Sequence, residues 1–299
     1  MTVMSCCASC GVAENDEVKL KNCNGCFLVK YCGVKCQKVH RKQHKRECKK
    51  RAAELHDELL FKQPESTHLG DCPICCLPLS LDITKNAMKS CCSKIICNGC
   101  NFANQNREME MRLEKKCPFC REPLCRTMKE VAKLRMKRVE TNDPIALCVE
   151  GEKYYERGDY RSAFEYWTKA AKLGDAEAHC RLANLYLFGK GVDKDEEKEI
   201  HQFEQAAIAG HPLARYELGA YEWNKGNDER AVKHWIIAAT QGENKSTKAL
   251  MDAFRDGLVS KEKLAITLRA HQATLDATKS PQRQAAKDAI EAKEFRRVS

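Results

Sequence analysis

Four pairs of soft ligands crowd the start of the chain: Cys7-x2-Cys10, Cys23-x2-Cys26, Cys32-x3-Cys36 and His44-x3-Cys48. A Cys-x2-Cys turn brings two thiolates to one ion, while an i, i+4 pair on a helix presents both side chains on one face. Cys32/Cys36 and His44/Cys48 have the second spacing. Four pairs suit two tetrahedral sites, and thiolate and imidazole donors point to Zn²⁺. A second set of eight follows, with Cys72-x2-Cys75, adjacent Cys91 and Cys92, Cys97-x2-Cys100 and Cys117-x2-Cys120. Segments this short bury too little apolar surface to fold alone, whereas a structural zinc contributes on the order of 10–16 kcal/mol. The metal would be the core, and four Zn²⁺ are expected.

Composition places these ligands. Of 20 Cys in 299 residues, 18 lie between Cys6 and Cys125, leaving Cys148 and Cys180 for the rest. The opening MTVMSCCASC has no signal-peptide character, and no apolar run approaches the roughly 18 residues that span a bilayer. The expectation is an intracellular chain, cytoplasmic or nuclear, with reduced thiols and no membrane partner. The formal net charge of +10 counts every Cys as neutral. Seven thiolates with two Zn²⁺ lower it by three and eight with two lower it by four, leaving +3. A nucleic-acid role thereby loses its global electrostatic argument. It keeps a local one in residues 19–51, with twelve Lys/Arg against one Glu, but no Phe, Tyr or Trp interleaves with the dense charge from Lys35 to Arg51. A nucleic-acid-associated or transcriptional co-regulator using this basic segment is the competing class.

The stretch NCNGCFLVKYCGVKCQKVHRKQHKREC resembles the MYND zinc finger in its ligand spacing together with Tyr31 and Gln37. The resemblance implies interleaved sites, Cys7, Cys10, Cys32 and Cys36 on one ion and Cys23, Cys26, His44 and Cys48 on the other, over a module at 7–48. Cys6 is then a spare thiol or a substitute for Cys7. MYND modules dock short proline-containing peptides, but the family's groove Trp is replaced here by Arg41. No SET-type cofactor or catalytic motif follows, which removes a methyltransferase reading.

After a helical polar connector at 49–71, residues 72–125 resemble an all-cysteine RING finger, with the polar NFANQNREMEMRLEKK read as its helix. That resemblance implies Cys72, Cys75, Cys97 and Cys100 on one zinc and Cys91, Cys92, Cys117 and Cys120 on the other. RING ligands three and four are normally separated, so either both adjacent thiolates bind or a substitute such as His68 completes the second site. Cys76 and Cys125 read as ordinary small-residue positions. RING fingers that act as ubiquitin ligases carry apolar, proline and basic residues where Ile74, Phe102, Pro118 and Arg121 stand here. The resemblance implies contact with an E2 enzyme through these four. Catalysis would be indirect, with no thioester on this chain and Arg121 holding the E2–ubiquitin conjugate closed.

Beyond a linker at 126–143, apolar residues recur at helical spacing, as in Ala163, Trp167 and Ala170. Ala170-Ala171-x2-Gly174, Ala206-Ala207-x2-Gly210 and Ala238-Ala239-x2-Gly242 recur at separations of 36 and 32 residues, each ending a helix on a glycine. GDYRSAFEYWTKAAKLGDAEA and GNDERAVKHWIIAATQG resemble Sel1-like repeats, relatives of the tetratricopeptide repeat. They imply a stacked array over 144–276, degenerate at its end, that binds protein. A polar helix or tail follows at 277–299. With closing text such as RAHQATLDATKSPQR, the whole resembles an expanded family of diatom proteins with this architecture. The fold class read is small zinc-stabilised modules, MYND and RING-like cross-brace, followed by an all-α Sel1/TPR-like solenoid. The function read is a zinc-binding protein-interaction adaptor, with RING-type ubiquitin transfer as its one candidate enzymatic output.

Overall fold

The structure, a computed structural model, describes residues 6–298. Residues 1–5, half of the opening read for a signal peptide, and Ser299, the end of the expected tail, lie outside the described residues. Two compact units divide between Lys62 and Gln63.

In the first unit, β1 (Lys21–Asn22) and β2 (Lys30–Tyr31) pair antiparallel, with Lys21 opposite Tyr31. Helix α1 (Val34–Leu60) follows. The core is Cys7, Leu20, Cys23, Cys26 and Tyr31, so ligand residues themselves fill most of it. Gly33, with φ −178°, is extended and caps α1. Cys32 therefore stays off the helix, delivered from the end of β2, and the helical i, i+4 pair expected at Cys32/Cys36 exists only at His44/Cys48. No Gly or Pro interrupts 34–60, so α1 runs on through much of the connector segment and stops ahead of Gln63-Pro64.

The second unit begins with a hairpin of β3 (Asn86–Lys89) and β4 (Lys94–Cys97), in register Asn86↔Cys97 to Lys89↔Lys94. Helix α2 (Asn98–Glu110) follows directly and ends before the KK of the segment read as helical. The small core here is Cys72, Leu79, Ile96, Cys97 and Cys100. Helix α3 (Met128–Glu140) occupies most of the segment read as a linker and packs on α4 (Pro144–Glu156), tied by Arg135 Nε to Glu150 Oε2 at 2.6 Å.

Helices α4 with α5 (Tyr160–Lys172), α6 (Ala176–Phe188) with α7 (Glu196–Ile208), and α8 (Pro212–Asn224) with α9 (Asp228–Thr240) pack as successive hairpins. Five of these six starts are capped by Asp143, Asp159, Asp175, Asp195 and His211, each side chain accepting an N–H three residues on. Ala163, Ala170, Ala206, Ala207, Ala238 and Ala239 are fully buried, which lets paired helices approach closely. In the first hairpin Trp167 Nε1 donates to Cys148 O at 3.0 Å, lying against Gly151. In the third, Trp235 Nε1 donates to Tyr216 O at 3.3 Å against Gly219. The matching positions of the middle hairpin are Ala183 and Phe203, both buried. A smaller ring is thus matched with a larger facing residue. Helices α10 (Asn244–Arg255) and α11 (Lys261–Ala277) pack on α9, and α12 (Pro281–Val298) packs on α2.

Candidate metal centres

Four sets of donor atoms converge, each within 4.8 Å: Cys7, Cys10, Cys32 and Cys36; Cys23, Cys26, His44 and Cys48; Cys72, Cys75, Cys97 and Cys100; Cys91, Cys92, Cys117 and Cys120. All twenty cysteines are free of disulfides. The Sγ separations are 3.6 Å for Cys10–Cys32, 3.5 Å for Cys32–Cys36, 3.7 Å for Cys23–Cys48, 3.9 Å for Cys75–Cys97 and 3.7 Å for Cys92–Cys117. A tetrahedron with Zn–S bonds of about 2.3 Å has edges of about 3.8 Å. Cys26 Sγ stands 3.1 Å from His44 Nε2, so the imidazole enters its set through that nitrogen. The donors and spacings fit Zn²⁺.

Without a cation the thiols of one set compete for charge. Burial pushes Cys7 up, yet the amides of Cys10, Cys32 and Ser9 bring it down to about 6. Cys32, hydrogen-bonded by Cys36, Cys10 and Cys7, is pushed up to about 12. A divalent ion removes that competition by neutralising the shared site.

One backbone device recurs in four of the turns. The N–H of residue i+4 donates to the carbonyl of the first cysteine: Gly11 to Cys7 at 2.9 Å, Phe27 to Cys23 at 2.9 Å, Cys76 to Cys72 at 2.8 Å and Arg121 to Cys117 at 3.1 Å. Each i+4 residue is left-handed, with φ of 73°, 57°, 54° and 64°. Cys76 and Arg121 thus sit where the turn demands positive φ. Gly11 was the sequence signal for that position, obscured in the other three by non-glycine residues.

Cys91 and Cys92 lie in the turn between β3 and β4, where Ser93 N donates to Lys89 O at 2.7 Å and Ser93 has φ 56°. On a straight strand adjacent side chains diverge, and the turn is what lets both reach Cys117 and Cys120. Cys97 caps α2, its Sγ accepting from Cys100 N at 3.4 Å. Cys6, Cys76 and Cys125 belong to none of the sets. Of the expected E2 contacts, Ile74 is 44% exposed and Arg121 is exposed, while Phe102 and Pro118 are half-buried.

His68 joins a different cluster, with Glu177 and His211. His211 Nδ1 accepts from Ala214 N at 3.3 Å, which assigns its proton to Nε2, the donor to Glu177 Oε2 at 2.9 Å. Arg181 Nε donates to Glu177 Oε1 at 2.7 Å. The His68 and His211 rings stack at 4.1 Å and 18°, so their in-plane lone pairs lie in two nearly parallel planes, a poor arrangement for sharing one ion. Burial and the neighbouring His211 push His68 down to about 3. No local sequence signal marks this meeting, since the three residues come from separate segments.

The MYND finger family model matches residues 7–48, and the Sel1 repeat model matches 147–175, 176–211 and 212–243. The chain carries a MYND finger and three Sel1 repeats. The finger and the clustered cysteines make the N-terminal region zinc-binding, and the Sel1 helices that follow in sequence form an all-helical solenoid. Both are protein-interaction modules. Among curated proteins, chitin synthase regulatory factor 4 of Schizosaccharomyces pombe is 32% identical over 103 residues, covering 32% of this chain and 16% of that protein. Chitin synthase regulator SKT5 of Saccharomyces cerevisiae is 27% identical over 130 residues, 38% of this chain and 19% of that protein. The chain thus spans less than a fifth of these relatives. The crystal structure of a Sel1 repeat protein from Oxalobacter formigenes aligns over 59% of this chain and 73% of its own, at 22% identity and TM-score 0.44. Among the described residues no helix is long and apolar enough to cross a membrane.

Proposed function

We propose that the chain is a zinc-dependent adaptor that binds partner proteins through its MYND finger and its Sel1 repeats. It holds two Zn²⁺ within 7–48 and two within 72–125, a connector at 126–143 leads to the repeats at 144–276, and it works in the cytoplasm or nucleus. The observation that carries the reading is the convergence of sixteen donors into four four-donor sets ahead of a repeat array. The two curated relatives are by name regulators of an enzyme, which supports a role exercised on other proteins. Arg41, exposed at the position of the family's groove Trp, gives the finger a cationic rim suited to an acidic peptide. The test is co-purification with the zinc-loaded chain and with Cys26→Ser/Cys48→Ser. The variant should lose one subset of bound proteins and keep those held by the repeats. Identical sets from both would refute the part assigned to the finger.

Ubiquitin-ligase output is the second reading, supported by the exposure of Ile74 and Arg121 on the first and last turns of the 72–125 module. Lysine discharge from a panel of charged E2 enzymes tests it. Ile74→Ala should abolish acceleration with zinc content unchanged, and no acceleration by the wild-type chain would end the reading.

A further inference from the structure

Helix α12 returns from the far end of the chain to the second cysteine module, where its first turns meet the Cys72/Cys75/Cys97/Cys100 set. Arg283 reaches over that set. Its Nη1 donates to Pro78 O at 2.7 Å and Thr278 O at 2.8 Å, and its Nη2 donates to Leu77 O at 3.1 Å and meets Cys75 Sγ at 3.5 Å. Gln282 Oε1 lies 4.0 Å from Cys100 Sγ. The backbones are also close: a Cβ on Gly99 would stand 2.9 Å from Arg283 Cα and N, so α12 can seat only on a glycine. Ala286, one turn further along, is 1% exposed. Phe102 follows Gly99 by one turn on the same side of α2.

The charges explain why an arginine stands here. Four thiolates around one Zn²⁺ carry a net charge of −2, and the positive end of a helix favours an anion. No carboxylate pairs with Arg283 among the described residues, so its anionic partner is the ligand set itself. Its fork hydrogen-bonds the carbonyls that follow the Cys72-x2-Cys75 turn, which fixes the turn as well as neutralising it.

We propose that α12 is an intramolecular ligand of the second cysteine module, latched by Arg283 onto the Cys72/Cys75/Cys97/Cys100 site, so that zinc occupancy and helix docking support one another. The docked helix occupies the Gly99 side of α2, which a partner protein can reach only when α12 leaves. The inference rests on zinc filling this site, part of the adaptor reading above, and the experiment separates the two.

The full zinc-loaded chain is counted for zinc by native mass spectrometry. Hydrogen exchange of amides 284–292 and release of zinc to a chelating indicator are then followed in the wild type, in Arg283→Glu and in Ala286→Asp. The second variant lies on α12 one turn beyond Arg283 and replaces no ligand. Both should speed exchange of 284–292 at least tenfold with α4–α9 unchanged, and both should speed release of one zinc by about 10- to 100-fold, the range for lost outer-shell partners. Chelating the wild type should expose the same amides. A loaded chain in which neither variant changes α12 exchange or zinc release overturns the latch while leaving the adaptor reading intact. A wild type that binds no zinc in this module overturns both.

Discussion

Replacing Gly219 by alanine isolates the packing rule of the solenoid. The new Cβ would lie 2.3 Å from Trp235 Nε1, 2.5 Å from Cδ1 and 3.0 Å from Cε2, and this indole is 5% exposed with little room to retreat. Overpacking of this kind costs about 1–3 kcal/mol, while the better helix propensity of alanine returns about 1 kcal/mol. A net loss of up to about 2 kcal/mol follows for Gly219→Ala. Trp235→Phe removes the hydrogen bond to Tyr216 O, worth about 1 kcal/mol, and leaves a smaller ring beside an unfilled glycine. The double substitution Gly219→Ala/Trp235→Phe recreates the Ala183/Phe203 pairing of the middle hairpin, so its cost should fall short of the sum of the singles by about 1–2 kcal/mol. Urea denaturation of the zinc-saturated full chain, followed at 222 nm, measures the cycle. Additivity within about 0.5 kcal/mol would refute the claim that glycine and indole are a matched pair.

Two further outcomes follow from backbone and charge. Phe27→Gly and Arg121→Gly should stabilise their turns by about 1 kcal/mol with the zinc count unchanged, because each relieves a left-handed non-glycine residue, whereas Gly11→Val should do the reverse. Thermal melting in excess zinc decides, and a loss of stability in both glycine variants would contradict the shared turn geometry. His68, held at about 3 in the fold against about 6.5 in an unfolded chain, leaves the unfolded state binding the extra proton between those values. Its stability cost is therefore absent above pH 6.5 and grows below it by up to about 1.4 kcal/mol per pH unit. Glu177, held at about 2, acts in the same direction but in a lower window, its stabilisation being lost as pH falls below its ordinary value near 4.5. Between pH 7.5 and 5.5 the wild type should thus lose about 1 kcal/mol more than His68→Phe in urea melts. Equal losses would contradict a buried neutral imidazole.

What the sequence discloses here follows the range of the forces involved. Ligand pairs such as Cys23/Cys26 and Cys117/Cys120 are legible because a two-residue spacing already limits the geometry, and the Ala-Ala-x2-Gly recurrence is legible because helix ends and close helix packing leave local marks. Cys32 looked helical by spacing, and a single extended residue, Gly33, puts it on the strand side instead. Adjacent Cys91 and Cys92 depart from the usual ligand separation, and the hairpin turn supplies the convergence that a straight strand denies. The stacking of His68 on His211 and the return of Arg283 to Cys75 join residues 143 and 208 positions apart in sequence, respectively, and leave no periodic or compositional trace.

Metal content tests the two-module zinc architecture most directly. Native mass spectrometry of the intact chain, purified without chelator, should show four Zn²⁺ per chain, with Cys91→Ser or Cys92→Ser each lowering the count to three. A wild-type chain that carries two, unchanged by either substitution, would contradict the reading of 72–125 as a second zinc module.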